Sequence, residues 1–182
     1  MRIIGGRFRG TALASVGKGD AAAHLRPTTD RTRESLFNIL AHGYGLDGAR
    51  VLDLFAGTGA LGLEALSRGA SSVTFIDNGR KAGQLLAQNI AKLRVESETK
   101  VIHSDATRLG PGQPHDVIFL DPPYGKGLGE KALTAAITGG WLADGALIVW
   151  EEGSTITIPS QLTQLDTRKY GDSTIVLLRF DA

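Results

Sequence analysis

The tetrapeptide Asp121-Pro122-Pro123-Tyr124 places a carboxylate, two prolines without N–H groups and an aromatic ring side by side. It follows the apolar run 116–120, which predicts a buried strand that stops at the prolines. Open α/β sheets bind their ligands at the carboxyl ends of such strands. There the carboxylate and the Pro122 carbonyl could accept both N–H bonds of an exocyclic amine, while Tyr124 stacks on a planar base. A simple turn is the alternative, because Asp and Pro are common turn residues.

A second candidate site is the glycine-rich turn after an earlier apolar run. Gly57, Gly59 and Gly62 match the spacing G-x-G-x-x-G, and Asp77 follows at the distance expected of a ribose-binding acid. An NAD enzyme must therefore be considered. Against it, Asp53 stands just before the glycines, where it would repel a pyrophosphate and attract an ammonium group.

A cofactor that combines an amino acid with a nucleoside suits this pattern, and S-adenosylmethionine is such a cofactor. We expect Gly57 and Gly59 to leave room for its methionine half, since a side chain there would occupy the cofactor's space. Asp77 would accept both ribose hydroxyls. After a predicted third strand, Asp105 would accept from the adenine amino group and the Ala106 amide would face a ring nitrogen, although a helix cap or a solvated loop is the alternative for Asp105 alone. The predicted cofactor-binding residues are Asp53, Phe55, Ala56, Gly57, Thr58, Gly59, Asp77, Asn78, Asp105 and Ala106.

Composition limits the classes of protein to consider. With 182 residues, 42% of them hydrophobic, the chain can bury one core but not two comfortable domains. It has no cysteine, which excludes disulfides and thiolate metal sites, and its four histidines lack ligand spacing, so we expect no metal. No stretch resembles a membrane span or a secretory signal. The expected location is the cytoplasm, and the expected state is a monomer.

Charge is distributed unevenly along the chain. Residues 1–34 carry seven Lys and Arg against three Asp and Glu, a net charge of +4, so that the remainder carries −3 of the total of +1. A basic segment on a mildly acidic body is expected where a nucleic acid approaches one face. For any single arginine, a solvated surface position is the alternative. The predicted RNA-binding residues are Arg7, Arg9, Arg26, Arg31 and Arg33.

The order of predicted elements indicates the fold. Segments 2–4 and 11–13 predict a short hairpin, and a helix should begin at Asp30, capped by Thr29 or Asp30. Strands then alternate with helices, which predicts a parallel sheet covered on both faces. The last two strands read as a hairpin, so at least one of them must run antiparallel. We expect one domain, with 1–45 as an extension for RNA binding and cofactor closure and 46–182 as a Rossmann-like core.

Five segments together resemble a known family, the bacterial 16S rRNA guanine-N2 methyltransferases often called RsmD. The resemblance covers nearly the whole chain, and the segment 26–40 is its most specific part. The segments are Arg2-Ile3-Ile4-Gly5-Gly6, Arg26-Pro27-Thr28-Thr29-Asp30-Arg31-Thr32-Arg33-Glu34-Ser35-Leu36-Phe37-Asn38-Ile39-Leu40, Asp53-Leu54-Phe55-Ala56-Gly57-Thr58-Gly59, Asp121-Pro122-Pro123-Tyr124 and Lys169-Tyr170-Gly171-Asp172.

The resemblance implies a class I fold dependent on S-adenosylmethionine, with a seven-stranded, mostly parallel sheet. It also implies methylation of the guanine at position 966 of the small-subunit RNA, on assembled particles. The catalytic residues would be Asp121, Pro122 and Tyr124, which would bind the amine and the base during direct methyl transfer. Four residues precede the first core strand, and the sequence does not decide which of them bind the methionine carboxylate and which bind RNA phosphates: Arg26, Thr28, Arg31 and Arg33.

Three other functions share part of this pattern. A DNA adenine or cytosine methyltransferase would use the same tetrapeptide but normally has extra length for target recognition. A protein glutamine methyltransferase would more naturally carry Asn at position 121, because an amide offers different donors. A non-catalytic RNA-binding module would have no need for both a cofactor turn and an amine pocket.

Overall fold

A seven-stranded sheet forms the centre of the computed structural model, which describes residues 1–16 and 29–182. Its strands lie in the order β3-β2-β1-β4-β5-β7-β6. Strand β7 runs antiparallel to both of its neighbours, and the other neighbouring pairs are parallel. This confirms the predicted Rossmann-like, mostly parallel sheet with an antiparallel terminal strand. The strands are β1 (Arg50–Leu54), β2 (Ser72–Asp77), β3 (Thr99–His103), β4 (His115–Leu120), β5 (Leu142–Glu152), β6 (Leu162–Tyr170) and β7 (Ser173–Phe180).

Helices cover both faces of the sheet, as the alternation of elements predicts. Side chains along a strand point to opposite faces in turn, so Phe119 of β4 packs with α1, α2 and α3 whereas Leu120 packs with α4. The Thr29 hydroxyl accepts the Thr32 N–H at 3.1 Å and is thus the cap of the first helix. No helix in the described residues is both long and apolar enough to cross a membrane. The helices are α1 (Asp30–Gly43), α2 (Ala60–Ser67), α3 (Arg80–Leu93) and α4 (Leu128–Thr138).

The parallel strands define two edges of the sheet. We call the edge where β1 to β6 end the carboxyl edge and the opposite one the amino edge. Strands β1 and β4 are neighbours at the centre, and Leu54 pairs with Leu120. The chain leaves β1 toward β2 and leaves β4 toward β5, on opposite sides, which creates the crevice where open α/β sheets bind ligands. Phe55 and Asp121 therefore leave the sheet next to each other.

The amino-terminal hairpin is present and packs against α2 and α3. The Ile3 N–H donates to the Thr11 carbonyl at 2.9 Å, and the Leu13 N–H donates to the Met1 carbonyl at 3.0 Å. Ile3 and Leu13 are buried in the core on the α1–α3 face. A short 3₁₀ turn, Gly6–Phe8, forms the tip. The hairpin is thus part of the packed core, and the division of the chain at residue 45 stays a prediction.

A buried ionic network fixes this hairpin to α1 and α2. Glu64 of α2 accepts the N–H groups of Ile4 at 2.8 Å and Gly5 at 2.9 Å. Its carboxylate also lies 2.8 Å from Nε of Arg68 and 3.5 Å from Nη1 of Arg33. Three segments distant in sequence therefore meet at one carboxylate without exposed surface.

The RNA-binding role predicted for Arg33 is wrong. Its side chain is 0% exposed, and Nη2 donates to the Arg2 carbonyl at 2.8 Å and to Asp30. A side chain without exposed surface cannot reach a phosphate. Arg33 instead joins α1 to the hairpin and to Glu64 of α2.

We expect Arg33→Ala to lower the free energy of unfolding by about 3 kcal/mol, because it removes one partner of a buried ion pair. The loss of stability should lie near the lower end of the range for breaking a buried ion pair. Glu64 still interacts with Arg68 and with two backbone N–H groups. Urea denaturation followed by circular dichroism would measure it. Arg31→Ala, an exposed arginine in the same helix, is the matched control and should change stability little. Equal effects of the two substitutions would contradict the structural role of Arg33.

Candidate active site

The predicted cofactor-binding residues gather at one place in the structure. They lie at or directly beyond the carboxyl ends of β1, β2 and β3, in the order of the chain: Asp53, Phe55, Ala56, Gly57, Thr58, Gly59, Asp77, Asn78, Asp105 and Ala106. The predicted catalytic residues Asp121, Pro122 and Tyr124 follow β4, the neighbour of β1. One crevice therefore borders both sets.

The turn between β1 and α2 has an unusual backbone. Phe55 has φ 60°, a left-handed conformation that costs a residue with a side chain ~1 kcal/mol. Gly57 and Gly59 also have positive φ, at 57° and 81°. The Ala56 N–H donates to the Ile76 carbonyl at 3.1 Å, and the Gly59 N–H donates to the Ala56 carbonyl at 2.8 Å. The turn is thus held in a single strained shape by the end of β2 and by its own bonds.

Position 59 requires a glycine for a different reason from the one the sequence suggests. A Cβ at Gly59 would lie 2.4 Å from Leu86 and 3.3 Å from Phe75, which are buried core side chains. A Cβ at Gly62 would likewise meet Phe75 at 2.4 Å. A side chain at position 59 would therefore enter the core rather than the cofactor's space, and the predicted cofactor contact of Gly59 stays a prediction. Both glycines allow α2 to pack closely on β2 and α3, whereas the role of Gly57 stays a prediction.

Asp77 connects the end of β2 to the glycine turn. Its Oδ2 accepts the Gly57 N–H at 2.8 Å, and its Oδ1 accepts the Gly79 N–H at 2.7 Å. Each carboxylate oxygen has a further lone pair, and the side chain is only half-buried. The two backbone N–H groups therefore fix the Asp77 carboxylate, and its remaining lone pairs could accept the two hydroxyls of a ribose.

Asp53 lies beneath the same turn. The residue is 1% exposed, and its Oδ2 accepts the Gly62 N–H at 2.9 Å. Burial raises its pKa to about 8, with a smaller contribution from the nearby charge of Asp77. A cation beside the turn would be stabilised by ionised Asp53, so the predicted attraction for an ammonium group is consistent with this position. That attraction stays a prediction.

Asp105 performs the capping role that was the alternative to adenine binding. Its Oδ1 accepts the backbone N–H of Thr107 at 2.9 Å and the Thr107 hydroxyl at 2.7 Å, at the start of a short 3₁₀ helix, Ala106–Arg108. These hydrogen bonds lower the pKa of Asp105. The adenine contact would use the other oxygen, and Ala106 is buried beside it.

Tyr124 is held by the end of β5. Its hydroxyl donates to Oε1 of Glu151 at 2.8 Å, and burial raises the Tyr124 pKa, so the hydroxyl stays protonated. The ring lies against Gly153, where a Cβ would come within 2.4 Å of it. Glu152 accepts the N–H groups of Gly125 and Gly153 at 3.2 and 2.9 Å, which closes the loop around the tyrosine.

Sequence reasoning missed Glu151 and Glu152. Both are buried, although they end a strand that is otherwise apolar from Ala146 onward. Two acids directly after a continuous apolar run were the available signal, because charged residues are seldom buried without a partner. Their partner is the Asp121–Gly125 loop.

Asn89 of α3 was also missed, and it contacts the cofactor turn. The side chain is fully buried. Its Nδ2 donates to the carbonyls of Thr58 at 2.9 Å and Ala14 at 3.1 Å, and its Oδ1 accepts the Ala14 N–H at 2.7 Å. A polar residue within the apolar stripe of α3 was the signal. Asn89 links the hairpin to the glycine turn.

The predicted RNA-binding arginines are divided between the two edges of the sheet. Arg7 pairs with Glu98, just before β3 begins, and Arg9 lies in the same hairpin turn, so both are at the amino edge. Arg31 is exposed in the first turn of α1. The hydroxyls of Ser35 and Tyr170 are hydrogen-bonded at 2.9 Å, which places the start of α1 beside the end of β6 at the carboxyl edge. Arg26 lies outside the described residues.

Asp53→Asn should stabilise the protein at alkaline pH and not at acidic pH. The folded-state pKa lies above the unfolded value, so the stability that protonated Asp53 contributes is complete below about pH 4 and is lost as the pH rises to about 8. Each unit by which the folded-state pKa exceeds the unfolded one corresponds to about 1.4 kcal/mol of folding stability. Thermal unfolding of both proteins from pH 5 to 9 would measure the difference, with exposed Asp172→Asn as control. A constant difference across this range would contradict the raised pKa.

If S-adenosylmethionine binds at the glycine turn as the sequence predicts, Asn89→Leu should weaken that binding at a temperature where the variant is fully folded. It leaves the Thr58 carbonyl and both Ala14 backbone groups without their partner, and each loss costs about 1–3 kcal/mol if the group stays buried. Calorimetric titration would give the affinity, and circular dichroism would confirm folding. Gln88→Leu, an exposed neighbour in α3, is the matched control. Unchanged affinity in the Asn89 variant would limit this residue to a structural role.

Comparison with known proteins identifies the family. A family model described as "Conserved hypothetical protein 95" matches residues 1–179. The ribosomal RNA small subunit methyltransferase D of Escherichia coli K12 is 44% identical over 165 residues, which cover 88% of this chain and 80% of that protein. The protein of the same name from Haemophilus influenzae is 37% identical over 178 residues, covering 94% and 89%. A solved structure described as the putative methyltransferase yhhF from Escherichia coli has a TM-score of 0.87, 41% identity and coverage of 100% and 98%. The chain belongs to the ribosomal RNA small subunit methyltransferase D family.

Proposed function

We propose that this protein transfers a methyl group from S-adenosylmethionine to the exocyclic N2 amine of a guanine in 16S rRNA, the one at position 966. The observation that carries the proposal is the pairing of Leu54 with Leu120. This pair brings the cofactor turn after β1 and the Asp121–Tyr124 loop after β4 to adjacent positions at the carboxyl edge. A methyl donor on one side and an amine on the other would then be in direct contact.

The acids around the glycine turn support S-adenosylmethionine over NAD. Asp53, Asp77 and Asp105 lie at or after the ends of three neighbouring strands. A pyrophosphate here would be repelled by the carboxylates of Asp77 and Asp105. An ammonium group, a ribose diol and an adenine amine offer N–H or O–H donors that carboxylates accept. The donor-rich cofactor fits the residues present.

Asp121 and Pro122 suit an amine substrate. An exocyclic purine amine is a weak nucleophile, because its lone pair is delocalised into the ring. If the Asp121 carboxylate and the Pro122 carbonyl accept its two N–H bonds, the nitrogen becomes more tetrahedral and its lone pair points toward the cofactor. The bound cofactor supplies an activated methyl group on a sulfonium. In the proposed transfer a new N–C bond would form as the S–C bond breaks, and Asp121 or solvent would accept the amine proton.

Tyr124 provides the surface on which the base would stack. A base within a helix cannot reach the crevice, so it must be turned out of its stack, and an aromatic ring compensates part of that cost. The hydrogen bond to Glu151 fixes the ring in one orientation. Residues 121–124 would therefore hold both the face and the amine edge of the guanine.

The family supports RNA as the substrate. The relatives from Escherichia coli and Haemophilus influenzae are named for the small-subunit ribosomal RNA. The choice of guanine, of its N2 amine and of position 966 follows from the sequence resemblance. The small ribosomal subunit, as an assembled particle, is the proposed partner.

Asp121→Ala should reduce the rate of methyl transfer by about 100-fold or more, because it removes a preorganised electrostatic partner of the amine. Binding of S-adenosylmethionine should survive, since the glycine turn and Asp77 are intact. Tyr124→Ala should weaken capture of the base by about 1–3 kcal/mol. Tyr124→Phe keeps the ring and should have a smaller effect, through loss of the bond to Glu151.

Single-turnover transfer from labelled cofactor to small subunits lacking the modification would measure these variants. Mass mapping of the product RNA would identify the methylated base. Glu151→Gln is the control for Tyr124→Phe, because its amide oxygen can still accept the tyrosine hydroxyl. Normal transfer by Asp121→Ala would mean that the tetrapeptide is only a turn, and the proposed reaction would then be wrong.

A further inference from the structure

We infer that the RNA backbone is held at the carboxyl edge by Lys126, Lys169 and Arg31, which bracket the amine pocket. This inference rests on the proposed function and names the surface that the RNA would contact. The main phosphate contacts would then lie at the carboxyl edge and not at Arg7 and Arg9 of the hairpin tip.

Lys126 projects from the loop that contains the predicted catalytic residues. It is exposed and stands between Gly125 and Gly127, whose φ values are 71° and 63°. A Cβ at either glycine would meet no heavy atom within 4 Å, so this part of the loop stands clear of the protein body. The base of the loop is fixed, since the Gly125 N–H donates to Glu152. Lys126 therefore reaches into solvent a few residues beyond Asp121.

Lys169 and Arg31 lie near the end of β6, on the same half of the sheet as β4. Lys169 is exposed and is the last residue but one of β6, which ends at the carboxyl edge. Arg31 is exposed in the first turn of α1, and the hydrogen bond between Ser35 and Tyr170 brings that helix to the end of β6. Helices α1 and α4 cover opposite faces of the sheet. Lys126 precedes α4, and Lys169 pairs with Thr174, which is oriented like Val176 and Leu178 on the α4 face. The two lysines therefore lie on the α4 face and Arg31 on the α1 face.

These three side chains form no ion pair within residues 1–16 and 29–182. The amino edge is different, because several of its arginines are neutralised by acids. Arg7 pairs with Glu98, Arg50 with Asp116 and Arg179 with Asp181. A cation already paired with a carboxylate gains less from a phosphate, since the existing pair must be broken or shared.

The arrangement matches what a turned-out base requires. The nucleotide enters the crevice between the two sides, while the phosphates before and after it remain outside. Cations on both sides of the entrance can hold these flanking phosphates and fix the register of the strand. Base selection then remains with Asp121, Pro122 and Tyr124.

Charge reversal with a control on the opposite edge tests the inference. The variants are Lys126→Glu, Lys169→Glu and the double variant. Lys100→Glu changes an exposed lysine of β3, near the amino edge and without an ion pair in the described structure, and is the matched control. Binding to small subunits lacking the modification would be measured by filter retention between about 50 and 200 mM salt, a range over which phosphate contacts change affinity strongly.

We expect each single reversal at Lys126 and Lys169 to weaken RNA binding at least about 5-fold, and the plot of log affinity against log salt to flatten by about 0.7–0.9 per lost contact. Affinity for S-adenosylmethionine should not change, and Lys100→Glu should behave like the wild type. Equal loss in Lys100→Glu, or no loss in the double variant, would overturn the inference. A wild-type protein that bound the particle with this salt dependence but transferred no methyl group would refute the proposed reaction and leave the surface supported.

Discussion

The pairing of β1 with β4 is the constraint on which the rest of the structure depends. These strands are adjacent in space but distant in sequence, and the chain leaves them in opposite directions. The crevice exists because of that divergence. It brings a strained, acid-rich turn next to a loop stiffened by two prolines, and neither feature alone would form a site. Phe55 and Asp121 directly follow the paired residues Leu54 and Leu120, so the backbone pairing of β1 with β4 brings the turn next to the loop.

Much of the fold could be predicted from local patterns. Residues 117–120 of β4 and 146–150 of β5 are continuous apolar runs because both faces of the sheet are buried there. A third strand was predicted before Asp105, where β3 lies. The cap at Thr29 and the final hairpin followed from residue types at fixed offsets. Each of these features depends on neighbours within a few residues, and the printed sequence contains those neighbours.

The errors and omissions came from interactions between distant residues. Arg33 looks like any surface arginine until Glu64 is placed beside it, and the packing reason for a glycine at position 59 appears only when Leu86 of α3 lies against it. Asn89 and Glu151 were missed for the same reason, because their partners are 31 and 27 residues away. Burial of a polar group is decided by tertiary packing, and its partner cannot be read from local spacing.

Strand β7 has a consequence for how the chain folds during synthesis. It is the last strand to be made, yet it lies between β5 and β6 and is hydrogen-bonded to both. Until Ser173–Phe180 has emerged, β6 has no neighbour in the sheet, and the apolar edge of β5 around Ile148 and Trp150 is uncovered. A chain that stops before residue 173 would therefore expose that edge to other nascent chains. Completion of the sheet, and with it the support of Tyr124 by β5, waits for the final strand.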